Sequence, residues 1–425
     1  MGEYLAGEPG ARQARGLAPM HARRRVEFTR NSRMTAASPS ANGARPLQGI
    51  RVLDFTRVLA GPYCTALFAD LGADVLKIEP PNGDDYRHIG PFHKDGSSAV
   101  FEAVNRGKRS IVLDLATADH RTIALELASG ADVVVENFRP GVADKLGIGW
   151  ATLSRHNPRL VYASISGFGQ NGPNALRPAY DIIIQAMSGI MAVTGDPDGP
   201  PTLIGESIAD VVCGLFGSWA ILAALVERDR TGSGRYIDIA MFDAMMALQP
   251  LVVARYLATG VAPQRMGNRH ALSVPFGAFA ARDGTFVLAV LNDKLFTALA
   301  HLIGKPELVV NPRFASDSQR AANEAELRAD IESWSRPLTA SEAVSALVAA
   351  GVPAAEVMDT AQALASSQAT ARPLLQELAH PDLGRTFVPE QPARFQNASR
   401  GGLKAAPRLS EHTHAVLADP ARAWD

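Results

Sequence analysis

Residues 50–78 read Ile50-Arg-Val-Leu-Asp-Phe-Thr-Arg-Val-Leu-Ala-Gly-Pro-Tyr-Cys-Thr-Ala-Leu-Phe-Ala-Asp-Leu-Gly-Ala-Asp-Val-Leu-Lys-Ile78. Ile50–Phe55 is a short apolar run of strand length, Pro62–Leu71 reads as a helix, and Ala73–Ile78 is a second apolar run. Strand, helix and strand within about 30 residues form a parallel βαβ unit, because parallel strands need a crossover and the crossover is right-handed. The alternation continues outward. Ser110–Leu113 is strand-like, Ala118–Ala128 helical, and Asp132–Val135 and Leu160–Ile165 are further strands. The expected fold class is α/β, with a Rossmann-like, doubly wound parallel sheet.

Asp181–Ser188 reads as a helix ending near Gly189, and Ser207–Arg228 as a long helix stopped at the Thr231–Gly234 turn. Tyr236–Ile239 is a strand, followed by one helix from about Met241 to Ala258. After Gly260 the texture changes. Phe276–Ala281 and Thr285–Val290 flank Asp283–Gly284 as a β-hairpin, and two or three helices follow between Lys294 and Ala350. The tail holds turn-forming Pro and Gly residues and then a short helix. These changes divide the chain into a leader (1–46), a large domain (47–261), a small α+β domain (262–385) and a C-terminal segment (386–425).

The chain of 425 residues is 47% hydrophobic, enough apolar material for a large core without disulfides or a structural metal. Its 42 basic and 43 acidic side chains leave a net charge of −1, which argues against a globally basic nucleic-acid binder. Two cysteines, Cys64 and Cys213, exclude a disulfide scaffold and a cysteine zinc cage, and no histidines fall at metal-ligand spacing, so no metal is expected. The leader holds eight arginines, no lysine and three acids, but no apolar stretch of the kind a secretory signal needs. It reads as a disordered extension, or as sequence ahead of a start at Met34, with organelle targeting the minor alternative. Val211–Val226 is the longest apolar run. It is shorter than the roughly 20 residues that span a bilayer, so a buried core helix, no membrane anchor and a cytoplasmic location are expected.

Gly167, Gly169 and Gly172 spell G-x-G-x-x-G after a predicted strand. A dinucleotide site needs a helix to begin there. Asn171 to Asn174 and Pro178 instead continue a turn, so a flexible loop closing over the strand ends is the better reading. The first βα turn, Thr56–Pro62, has a single Gly and is no P-loop, yet it lies where doubly wound folds bind nucleotides. Asp210 stands at the start of the most apolar helix, followed by Val211, Val212 and Cys213. A helix N-terminus favours the carboxylate and burial opposes it. On the residues alone it is either an N-cap, a role open also to Glu206 and Ser207, or a poised nucleophile or base. Tyr180 and Asp181 mark another helix start after Arg177, and His270 falls in the turn-rich Gly267–His270 loop. No G-x-S-x-G nucleophile elbow exists.

Several stretches together resemble one family. They are Pro46–Pro62, Asp70–Glu79, Asn105–Ile111, Val135-Glu-Asn-Phe-Arg-Pro-Gly141, Thr231–Gly234 and Pro407–Thr413. The sequence resembles the class III CoA-transferases over about residues 46–417, nearest to the succinyl-CoA:dicarboxylate type. That family also includes formyl-CoA transferase, carnitine CoA-transferase and α-methylacyl-CoA racemase. The resemblance implies a ring-shaped subunit whose C-terminal segment returns to the large domain, and an interlocked homodimer. It implies Asp210 as catalytic residue, since the family's aspartate starts the helix after the stretch matched by Asp198–Pro201. It implies coenzyme A contacts from Arg57, Val58, Leu59, Ala60, Leu113, Asn137, Phe138, Arg139, Lys145, Arg177, Tyr180 and Asp181. Gly169, Arg269 and His270 are the residues expected at the acyl or acid substrate.

The implied reaction moves CoA between a donor acyl-CoA and a free acid through aspartyl anhydride and aspartyl-CoA thioester intermediates. It needs no bound cofactor, the CoA thioester being substrate. Asp210 at its helix N-terminus is expected to be ionised at neutral pH. Leu59 stands where formyl-CoA transferase has glutamine, and Gly267–Leu272 replaces its multi-glycine loop, which points away from oxalate/formate exchange. Tyr180 stands where the racemase branch has its catalytic histidine, which argues against epimerisation. The competing readings are an acyl-CoA α-epimerase, a non-catalytic CoA-binding protein, and a nicotinamide-dependent dehydrogenase using Gly167–Gly172.

Overall fold

The computed structural model describes residues 43, 45–372, 374–396 and 402–424. Almost all of the leader, residues 1–42 and 44, lies outside them. Six strands, β1 (Arg51–Asp54), β2 (Asp74–Glu79), β3 (Arg109–Val112), β4 (Val133–Glu136), β5 (Val161–Ser166) and β6 (Arg235–Ala240), make one parallel sheet. Their order is β3-β2-β1-β4-β5-β6, so the winding reverses between β1 and β4. The helices of this part are α1 (Ala60–Asp70), α2 (Ala99–Asn105), α3 (Ala118–Ser129), α4 (Val142–Lys145), α5 (Trp150–His156), α6 (Asp181–Met187), α7 (Ile190–Val193), α8 (Ile208–Thr231), α9 (Met241–Ala247) and α10 (Pro250–Thr259).

Strand residues alternate between faces, and here both faces are covered, so neighbours such as Val52 and Leu53 are both apolar and both buried. One face carries α1 and α8 over Val52, Phe68, Val133, Ile165 and Ile221; the other buries Leu53, Phe55, Leu127, Leu153 and Tyr162. A Cβ on Gly214 of α8 would lie 2.7 Å from the Ala60 carbonyl oxygen and 3.0 Å from Tyr63 Cδ1, so α1 and α8 meet there at backbone distance. By length and composition α8 could cross a membrane. It instead packs Val212, Cys213, Ile221 and Leu225 into the core, while Leu215, Trp219 and Val226 remain exposed. The expected core helix is therefore buried on one side only.

The single helix expected over Met241–Ala258 is two, broken at Leu248–Gln249. Pro250 cannot supply the hydrogen bond that would carry one helix into the next. The smaller sheet is antiparallel, β7 (Phe276–Ala280), β8 (Thr285–Ala289) and β9 (Ala354–Glu356). Four helices follow the hairpin rather than two or three: α11 (Asp293–Leu302), α12 (Asp317–Ala322), α13 (Glu324–Ser335) and α14 (Ala340–Ala349). Phe279, Phe286, Phe296, Phe314 and Leu347 form their separate core.

The tail also holds strands that its composition hid. β10 (Leu375–His380) and β11 (Gly384–Pro389) pair as a hairpin. Leu378 and Val388 of that hairpin pack on Ala405. Beyond it the chain returns to the parallel sheet. The His412 N–H donates to the Ser110 carbonyl at 2.9 Å, and the Val112 N–H donates to Thr413 Oγ1 at 2.9 Å. The free edge of β3 is thus covered by irregular chain, one way of blunting an edge strand. Trp424 Nε1 donates to the Leu127 carbonyl at 3.2 Å behind it.

Candidate active site

The carboxyl ends of β1 to β4 surround a cavity of about 300 Å³ lined by Phe55, Arg57, Ile78, Pro80, Leu113 and Phe138. The winding reversal between β1 and β4 opens this crevice. Arg57 lies over the Phe138 ring, 5.7 Å from its centroid. Of the expected CoA residues, Arg57, Leu113 and Phe138 line the cavity together. Arg139 and Lys145 are exposed beside it, Lys145 on α4 between the lining residues Val142 and Leu146. Asn137 faces the backbone instead. Its amide accepts from the Arg57 N–H and donates to the Arg57 carbonyl, each at 2.8 Å.

Asp210 lies in the first turn of α8, near the N-terminus of α1, whose first N–H, that of Ala60, favours its ionised form. The close passage at Gly214, one turn on, brings the two helices near enough for this. α1 begins at Ala60, two residues ahead of the expected start, with no side-chain cap bond from Leu59. Burial pushes Asp210 up to about 7, helped by the charge of Asp181 and opposed by the Ala60 bond. The expectation of a fully ionised carboxylate at neutral pH is thereby corrected: desolvation outweighs the helix end. Ser207 is the N-cap of α8 but makes no side-chain cap bond. Asp181 caps the helix from outside, accepting from the Ala209 N–H at 2.7 Å and from Gln185 Nε2 at 2.8 Å.

Tyr180 is 71% exposed at the start of α6, and Arg177 lies over the Phe168 ring. The 167–180 segment holds only turns, and the next helix starts at Asp181, so the G-x-G-x-x-G sequence faces no helix N-terminus. Gly169 packs beside Asp238, which accepts from the Gln170 N–H at 2.9 Å. Arg269 and His270 are elsewhere, on a cavity of about 780 Å³ against β7, β8 and β9. Arg269 pairs with Glu324 at 2.9 Å, and His270 stacks on Phe276 with Nδ1 accepting from the Ser273 N–H at 3.1 Å. Their loop is tied to the segment ahead of α8, the Gly267 N–H donating to the Gly195 carbonyl at 2.9 Å.

Two groups escaped the sequence reading. Tyr86, on a 3₁₀ turn after β2, is pushed up to about 12 by burial and by the charge of Asp210. Glu136 ends β4, where burial pushes it up to about 7. Its carboxylate accepts from Ser164 Oγ and from the Phe138 N–H, the latter at 2.8 Å, so it sets the backbone under the cavity's aromatic wall. The available signal was an acid closing an all-valine strand, Val133-Val-Val-Glu136.

A doubly wound sheet with an aromatic-walled cavity at its reversal point, and a half-buried carboxylate near a helix start, is the architecture of an α/β protein with a crevice at its strand ends. The sequence model of CoA-transferase family III matches residues 47–413, and the chain belongs to that family. It is 44% identical over 386 residues to an acetyl-CoA:oxalate CoA-transferase of Acetobacter aceti, covering 90% of this chain and 97% of that one. It is 39% identical over 380 residues to a succinyl-CoA:mesaconate CoA-transferase of Haloarcula marismortui, covering 87% and 95%. A crystal structure of a CAIB/BAIF family protein from Brucella suis superposes with TM-score 0.79 at 40% identity, covering 89% of this chain and all of that one. The expected class III CoA-transferase activity agrees with these findings.

Proposed function

We propose that this class III CoA-transferase moves CoA from a short acyl-CoA to a short dicarboxylate, with Asp210 as nucleophile. The observation that carries the reading is Asp210 in the first turn of α8, one turn from the point where α8 meets the start of α1 at backbone distance. An Asp210 oxygen attacks the thioester carbonyl, the C–S bond breaks, and acyl-aspartyl anhydride and CoA thiolate result. The thiolate attacks the aspartyl carbonyl and releases the donor acid, leaving aspartyl-CoA thioester. The acceptor carboxylate attacks that thioester, and the returning thiolate takes the acyl group from the new anhydride. The Ala60 N–H supports negative charge on the aspartyl oxygens at each stage.

The cavity at the sheet reversal suits the CoA nucleotide, its base against Phe138 and Arg57, with Arg139 and Lys145 beside it for phosphate. The Gly-rich 167–172 loop is read as the cover that keeps water from the anhydride. The relatives named for oxalate and mesaconate support a dicarboxylate acceptor. Oxalate therefore belongs in the acceptor panel, although Leu59 and the Gly267–Leu272 loop point away from oxalate/formate exchange.

We further read the subunit as half of an interlocked homodimer. Leu215, Trp219, Leu251, Tyr256 and Leu257 are large apolar side chains left exposed on α8 and α10, a face that a second copy would cover. The test of chemistry is trapping. The protein is incubated with succinyl-CoA and acetyl-CoA, quenched with hydroxylamine, and the peptide holding residue 210 is weighed. A hydroxamate on Asp210, absent from Asp210→Ala, is expected; transfer persisting in Asp210→Ala would overturn the reading.

A further inference from the structure

The loop that carries Ala60 is held in a shape its own sequence does not favour. Val58 has φ +70°, in the left-handed region. A β-branched residue adopts it only where the surroundings impose it. The surroundings here are side chains from other elements. The Val58 N–H donates to Asp84 Oδ1 at 3.0 Å. Asp84 Oδ2 takes a hydrogen bond from Lys77 Nζ at 2.8 Å, and the same ammonium donates to the Thr56 carbonyl at 2.7 Å. Lys77 and Asp84 are fully buried, and neither lines the cavity at the strand ends. Asn137 holds the Arg57 peptide groups from the opposite side. Lys108 Nζ pins the Pro62 carbonyl at 2.9 Å and Asp54 Oδ2 at 3.0 Å.

We propose that Lys77 and Asp84 are positioning residues for CoA transfer: their buried pair holds Val58 left-handed and so keeps the start of α1 aimed at Asp210. The proposal rests on the reading of Asp210 as nucleophile. A buried ion pair is poor evidence of a stabilising role, since an apolar replacement of both partners is often neutral. Its geometry here has a specific consequence. One carboxylate oxygen is given to the ammonium and the other to the strained peptide, so the pair connects β2 to the turn that aims α1.

The test compares two full-length double variants. Lys77→Met with Asp84→Ala removes both charges and the acceptor for Val58. Lys77→Met with Asp84→Asn removes both charges but keeps an amide oxygen for the Val58 N–H. The alanine form is expected to lose about 10–100-fold in kcat, as a small misplacement at a reacting group does, with KM for the CoA ester within about threefold. The acid limb of its kcat/KM profile should move to higher pH, because the Ala60 bond that favours the ionised carboxylate is lost. The asparagine form should keep most of the rate. Val58→Gly added to the alanine form should restore rate and limb together, since glycine adopts positive φ at no steric cost. A purely structural pair would leave the limb unmoved.

An alanine form with wild-type kcat and limb, or one that Val58→Gly does not restore, overturns the proposal. If the alanine form does not fold, it is read with Val58→Gly added. A folded protein with rate and limb near wild type supports the proposal, and a folded protein with a lowered rate and a raised limb overturns it. Hydroxamate trapping on the wild-type enzyme separates the two failures. No adduct there refutes the nucleophile itself, whereas an adduct with indifferent variants refutes only the positioning role.

Discussion

At Asp210 burial and catalysis make opposite demands. The proposed nucleophile has to be ionised, while desolvation pushes its carboxyl up to about 7. The expected kcat/KM profile of the free enzyme rises about tenfold per pH unit below that value and levels above it. Asp181→Asn keeps an oxygen for the Ala209 N–H and removes the neighbouring charge, so the limb should move to lower pH. Stability has the opposite sign. Between the ordinary 3.8 and about 7 the folded chain holds a proton that the unfolded chain has released, so this group's contribution falls as pH rises through that window. Asp210→Asn, uncharged throughout, is expected to be more stable than wild type at pH 8 by about 1–3 kcal/mol in urea titrations, and inactive. Asp210 was legible as a lone acid opening an apolar helix. Its acidity was not, because burial depends on how distant elements pack around it, α1 some 150 residues back in the chain among them. Lys77 left a trace, a lysine between Leu76 and Ile78 in a buried strand, but its partner Asp84 looked like any turn aspartate.

Elements whose identity depends on period and length were readable, and those set by a partner were not. The strands of the parallel sheet and α8 show in their apolar runs. β9 is three residues, Ala-Ala-Glu, and exists because β8 offers it an edge. β10 reads Leu-Gln-Glu-Leu-Ala-His, without clean alternation, and is a strand because β11 pairs with it. The same dependence governs the catalytic geometry. Gly214→Ala would put a methyl group 2.7 Å from the Ala60 carbonyl oxygen, against backbone that cannot yield. α8 must then move off α1, at a cost of about 1–3 kcal/mol for overpacking. Transfer should fall at least about tenfold as Asp210 moves off the start of α1, read from kcat in a variant that circular dichroism reports as folded.

For the whole molecule, the exposed apolar stripe of α8 makes a test of assembly. Leu215→Glu with Trp219→Glu places charge on two positions outside the buried core, so the subunit should fold. Light scattering is expected to show one chain mass of 45.1 kDa where the wild type shows twice that; a wild type already at one chain mass would refute the dimer. The return of the tail gives a second test. Trp424 is buried against Leu127, and Trp424→Ala should cost about 3–5 kcal/mol in urea titrations. The covered edge of β3 also sets a timetable for synthesis. The Val112 N–H waits for Thr413, a partner 301 residues downstream. At about 5–20 residues per second a ribosome needs tens of seconds to supply it, and over that interval the nascent sheet presents an open strand edge to every neighbour in the cell.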